Sequence, residues 1–154
     1  MRLRTLFGVF EKKRRGITFF VVLLVCLSAV FAASSGEFWA EGKRGWVKFF
    51  AQKGYVEVEG KGKLWLKTGI EAKEVIEGNY ETKEKDGEVV LYKGFQGKVK
   101  VTGMNFRVEF RGENIKFHAV GKGKAALRGE GTFKTDKESE KKWGIDYKWA
   151  HCRY

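Results

Sequence analysis

Residues 97–129 read GKVKVTGMNFRVEFRGENIKFHAVGKGKAALRG, with Gly103, Gly112 and Gly121 nine residues apart. Between the glycines the residues alternate. Phe106, Val108 and Phe110 fall on one side of an extended chain and Arg107, Glu109 and Arg111 on the other. Ile115, Phe117 and Ala119 repeat the pattern. Alternation with period two is the mark of a half-buried strand, whereas a helix needs apolar residues every three to four positions. A nine-residue beat suits a strand of about six residues and a turn of about three, with glycine supplying the backbone freedom that the turn needs. Gly60, Gly69, Gly78 and Gly87 keep the same nine-residue beat.

Residues 36–68, GEFWAEGKRGWVKFFAQKGYVEVEGKGKLWLKT, lie over 97–129 without a gap when shifted by 61 positions. The identities fall on Gly36/Gly97, Gly42/Gly103, Val47/Val108, Phe49/Phe110, Leu66/Leu127, and the run Gly60–Lys63 over Gly121–Lys124. Self-similarity at glycines and alternating apolar positions reads as one β unit used twice. The pattern predicts strands near 37–41, 46–51, 55–59, 63–67, 74–82, 88–93, 97–102, 105–111, 115–120, 124–128, 131–135 and 143–149. The Glu- and Lys-rich stretch 70–85 breaks the alternation and admits a helical turn at Glu71–Ile76. The expected fold is all-β, a duplicated antiparallel meander closed into a sandwich or barrel, with a β-solenoid as the runner-up.

The amino end has a different character. Arg2, Arg4, Lys12, Lys13, Arg14 and Arg15 precede an uncharged run, residues 17–33, which ends in small residues. Basic, then apolar, then small is the order of a secretory signal, and the run is also close to the length of a membrane anchor. Residues 1–35 are therefore expected to be a cytoplasmic basic segment with a signal peptide or anchor helix. Residues 36–154 are expected to be an extracytoplasmic β domain, membrane-anchored or secreted, with residues 17–33 as the membrane contact. The chain carries 31 Lys and Arg against 19 Asp and Glu, a net charge of +12. Six of those cations and one acid, Glu11, belong to the amino-terminal stretch, so residues 34–154 carry 25 cations, 18 acids and a charge of +7.

On the non-core side of the strands the two similar stretches diverge. The first carries Trp39, Trp46, Phe50, Tyr55 and Trp65 where the second carries Lys100, Arg107, Arg111, Lys116 and Ala126. Trp39, Trp46, Phe50 and Trp65 are the candidate aromatic contact. Lys100, Arg107, Arg111, Lys116, Lys122, Lys124 and Arg128 are the candidate binding residues for an anionic envelope polymer or lipid headgroups, which a summed positive field attracts. The two sets are read as separate faces, one aromatic and one basic. A homo-oligomer built on the aromatic set is a further expectation, and a nucleic-acid partner is not expected of an exported protein.

Catalytic signals are sparse. Beyond the leader only Ser34, Ser35 and Ser139 offer a hydroxyl nucleophile of that type, and His118 and His151 have no metal-ligand spacing. The Gly60–Lys63 and Gly121–Lys124 runs lack the spacer and following helix of a phosphate-binding loop and read as turns. Cys152 beside His151 is the one candidate reactive thiol past the leader. No catalytic residue, cofactor or metal is assigned. The expected function is a non-catalytic envelope module with a structural or surface-binding role. The alternatives are a carboxylate-based hydrolase or an oligomeric assembly subunit.

Overall fold

The computed structural model describes residues 36–69 and 71–152. The signal or anchor reading of residues 1–35 lies outside them. Among the described residues there is no helix. The elements are β1 (Gly36–Lys67), β2 (Lys73–Asn79), β3 (Thr82–Asp86), β4 (Val89–Thr135), β5 (Lys141–Trp143) and β6 (Lys148–Cys152). They form one antiparallel sheet in which β4 pairs with all the others. The all-β expectation holds.

The segmentation differs from the sequence reading. Instead of a run of short hairpins, β1 continues for 32 residues and β4 for 47. Gly60, Gly94, Gly103, Gly112 and Gly121, expected to reverse the chain, sit inside these strands and Gly78 inside β2, whereas Gly87 does stand at a turn, between β3 and β4. The stretch 71–76 expected to admit a helical turn instead leads into β2, whose Ile76 pairs with Val99. The pairing with β4 settles this segment against its local Glu- and Lys-rich composition.

Many residues of β1 have two partners in β4. Ala40 lies between Phe117 and Phe133, Phe49 between Val108 and Ala125, and Val58 between Val99 and Phe117. Phe117 thus touches β1 at both Ala40 and Val58, so β1 has come round once between those positions. The two long strands coil together as an antiparallel ribbon and each turn pairs with the next. Glycines stack where the ribbon bends. Gly36, Gly121, Gly54 and Gly103 are successive neighbours along one bend, and Gly129, Gly45, Gly112 and Gly62 along the other.

The bends need glycine for a contact reason. A Cβ on Gly45 would stand 2.7 Å from the Arg128 carbonyl oxygen, because neighbouring turns press together there. At Gly54 φ is +146°, a conformation L side chains rarely adopt, and a Cβ would run into the Val120 carbonyl.

Between the bends the ribbon forms two layers. The first contains 36–42, 55–60, 97–102, 115–121 and 131–135, with β2 and β5 at its margins. The second contains 45–51, 62–67, 89–93, 106–112 and 123–129, with β3 and β6 at its margins. Their inner faces meet in one core. Phe38 and Phe117 of the first layer lie 6.2 and 5.9 Å from Phe49 of the second. Phe110, Val47, Val58 and Leu66 are fully or almost fully buried in the same cluster. Trp143 closes one margin, its indole lying over Gly42 and Gly131 where any side chain would collide.

The two similar stretches run against each other. Gly36 pairs with Gly121, Gly60 with Gly97, and Lys48 with Glu109. Burial agrees at equivalent positions: Phe38 and Val99, Ala40 and Val101, Val56 and Phe117, and Leu66 and Leu127 are all core.

Candidate binding face

The outer faces of the two layers have different chemistry. On the first layer Trp39, Glu41, Tyr55, Glu57 and Glu59 of β1 alternate with Lys98, Lys100, Lys116 and His118 of β4. Lysines and glutamates pair there. Lys98 Nζ is 3.0 Å from Glu57, and Lys100 Nζ is 3.7 Å from Glu77 of β2. The Tyr55 hydroxyl donates to Glu57. That bond, aided by Lys98 and Lys100, holds the Glu57 carboxyl below the usual carboxylate range. Burial, with Glu57 beside it, pushes the Tyr55 phenol up to about 12. Trp39 stacks on His118 at 5.4 Å, and Lys134 Nζ stands 4.9 Å from the centre of the Trp39 ring. This face is internally neutralised.

The outer face of the second layer is not. Three rows cross its strands. One row is Arg128–Trp46–Arg111–Lys63, and a second is Lys124–Phe50–Arg107–Lys67. Between them runs Trp149–Ala126–Lys48–Glu109–Trp65. Glu109, the acid in this middle row, is already engaged: Lys48 Nζ lies 3.2 Å away and the Trp46 indole donates to it at 2.8 Å. Lys67 is paired with Glu88 at 2.8 Å. Arg107, Arg111, Lys124, Arg128 and Lys63 take part in none of the ion pairs among the described residues. Lys124 stands 5.5 Å over Phe50 and 5.7 Å over Trp149, and Arg128 stands 5.3 Å over Tyr147. Those contacts set the charged groups over aromatic rings, and both residues remain exposed.

The expectation of one aromatic and one basic face is therefore corrected. Antiparallel pairing sets the first stretch beside the second, so Trp46 lies between Arg111 and Arg128, and Phe50 between Arg107 and Lys124. The named residues also divide between layers. Arg107, Arg111, Lys124 and Arg128 gather on the second with Trp46, Phe50 and Trp65. Lys100 and Lys116 lie on the first beside glutamates, with Trp39, and Lys122 sits at a bend opposite Lys53. The sequence reading missed Lys48, Lys63 and Trp149. Trp149 is 55% exposed and joins the face only because β6 pairs with 123–127. No spacing within β6 carries that information.

Other chemistry is limited. Cys152 is buried in the core, and burial pushes its thiol up to about 12, which keeps it protonated and unreactive at neutral pH. Among the described residues no group of three or more His, Cys, Asp or Glu side chains is placed to hold a metal. No described helix is long and apolar enough to cross a membrane. Comparison with protein families, curated proteins and solved structures finds no match to this chain.

Proposed function

We propose that this chain is a non-catalytic, exported β module that binds an anionic partner through the outer face of its second layer. The observation carrying this reading is the asymmetry between the layers. On the first, Lys98 and Lys100 form ion pairs with Glu57, Glu59 and Glu77, and Lys116 lies in register between Glu41 and Glu59. On the second, Arg107, Arg111, Lys124 and Arg128 form no ion pair among the described residues, and the only acid in their three rows, Glu109, is already engaged by Lys48. A one-sided positive field attracts polyanions and anionic headgroups and gives binding that salt weakens, since exposed charges are screened over about 8–10 Å. The basic and apolar layout of residues 1–35 supplies the reading of export or anchoring at the cell envelope. The reading includes a duplicated unit, supported by the shared burial pattern and by the antiparallel pairing of the stretches. It also takes the coiled ribbon as a flattened sandwich, because the inner faces of its two layers pack directly on each other.

The test compares two variants of equal charge change. Arg107, Arg111 and Arg128 are replaced together by Ser in one, and Lys98, Lys100 and Lys116 in the other. Detergent-solubilised full-length protein is run on immobilised acidic polysaccharide and on its neutral counterpart across a salt gradient. At about 1 kcal/mol per basic residue near an anionic surface, the arginine variant loses roughly a hundredfold in affinity. The lysine variant stays close to wild type. Equal loss in both would reduce the effect to net charge, and retention insensitive to salt would remove the electrostatic reading.

A further inference from the structure

We propose that the partner on the second layer is a linear acidic polysaccharide lying across the strands, over the row from Trp149 to Trp65; this rests on the anionic-partner reading above. The geometry of the three rows carries it. Arg107 and Arg111 are four positions apart on one extended strand, as are Lys124 and Arg128 on the next but one. Four residues of strand span roughly 13 Å, so the two basic rows run as rails about that far apart. The strip between them has a small side chain, Ala126, an internally neutralised pair, Lys48 and Glu109, and a tryptophan toward each end. From Trp149 to Trp65 is four strand spacings, roughly 19 Å.

That layout sorts the anionic polymers by shape. In a chain of sugar rings whose successive units flip over, the acid groups alternate from one edge to the other. Such a chain presents its apolar ring faces to the floor and its charges to both sides. Rails on both sides of a strip with tryptophans complement it: the indoles stack on ring faces and the rails meet the acids. A single-stranded nucleic acid has its phosphates along one edge and its bases along the other, and would match one rail beside an aromatic row. A membrane surface is anionic in two dimensions and gives the strip no role.

The closing experiment measures affinity of full-length, detergent-solubilised protein for polyuronate oligomers of increasing length. The same titration is made with single-stranded DNA of equal charge number and with micelles doped with phosphatidylglycerol. The expected result is a steep rise in affinity as the oligomer becomes long enough to reach both tryptophans, and then a plateau. Trp65→Ala and Trp149→Ala each lose about tenfold on long oligomers and flatten the length dependence. Thermal unfolding of each variant checks that the sheet survives, and the length series on wild-type protein needs no variant. Salt-sensitive binding without a length step, or tighter binding to the DNA or the doped micelles, overturns the polysaccharide inference and leaves the anionic-partner reading standing. Failure to bind any of the three probes overturns both.

Discussion

Glu57 shows how the first layer uses its charges. The carboxylate accepts from Tyr55 and is flanked by Lys98 and Lys100, and these partners hold its acidity below the usual value of 4.5. A carboxyl that ionises more readily in the folded chain adds stability above its unfolded pKa, and that contribution disappears as pH falls through the folded value. Tyr55 works in the opposite direction. Its phenol is raised from 10.0 to about 12, so its neutral form favours the fold below pH 10 and the benefit is lost as pH climbs toward 12. Glu57→Gln is therefore expected to lower the thermal midpoint at neutral pH and to narrow its gap from wild type near pH 3. Partial solvent exposure keeps the effect small. Melting curves of both proteins between about pH 3 and 8 check it, and a gap that widens on acidification contradicts the assignment. The same residue-scale view removes Cys152 from the reactive candidates, because its thiol is buried in the core beneath β6. His151 pairs beside Lys124 at the exposed margin instead.

At the level of elements, the glycine beat was legible and its meaning was not. An isolated nine-residue period is equally consistent with a hairpin every beat or a bend every beat, because both need a residue without a side chain. The spacing of inward residues separates them after the fact. Inward residues step from Ala51 to Val56, Val101 to Phe106 and Phe110 to Ile115 across single-glycine bends, switching parity each time. They step from Val58 to Leu64, Ala119 to Ala125 and Leu127 to Phe133 across the Gly-x-Gly bends at 60–62, 121–123 and 129–131, keeping parity. The repeated Gly-Lys-Gly-Lys runs are thus wider bends within continuous strands. Gly54→Ala is expected to destabilise by at least about 1–3 kcal/mol from backbone strain alone, with the collision against Val120 added. Gly87→Ala, where φ is also positive but no atom lies near, bears only the strain. Chemical denaturation of the pair checks the ordering, and equal losses would mean that close approach of the turns is not what the bends require.

The whole molecule rests on the pairing of two distant segments. Every partner of β1 lies within β4, beyond residue 88. A chain ending at residue 88 is therefore expected to lack a stable sheet, which circular dichroism and proteolysis would read directly. A folded monomeric sheet in that fragment would contradict the register. Such long-range pairing also predicts slow folding, because the entropy of closing the chain is lost before the contacts form. The order of the amino acids is enough for the local matters: all-β class, inward sets such as Phe106–Val108–Phe110, the similarity of 36–68 and 97–129, and glycine at the bends. Each follows from period-two alternation or from the steric needs of one residue, and both are written in neighbouring positions. Which turn lies beside which, and with it the make-up of the proposed binding face, follows from the folded pairing alone. Trp46 acquires Arg111 and Arg128 as neighbours, and Lys116 acquires Glu59, through hydrogen-bonded registers between residues far apart in the chain. Alternation fixes the side of the sheet a residue faces, whereas its neighbours on that side depend on how the ribbon coils.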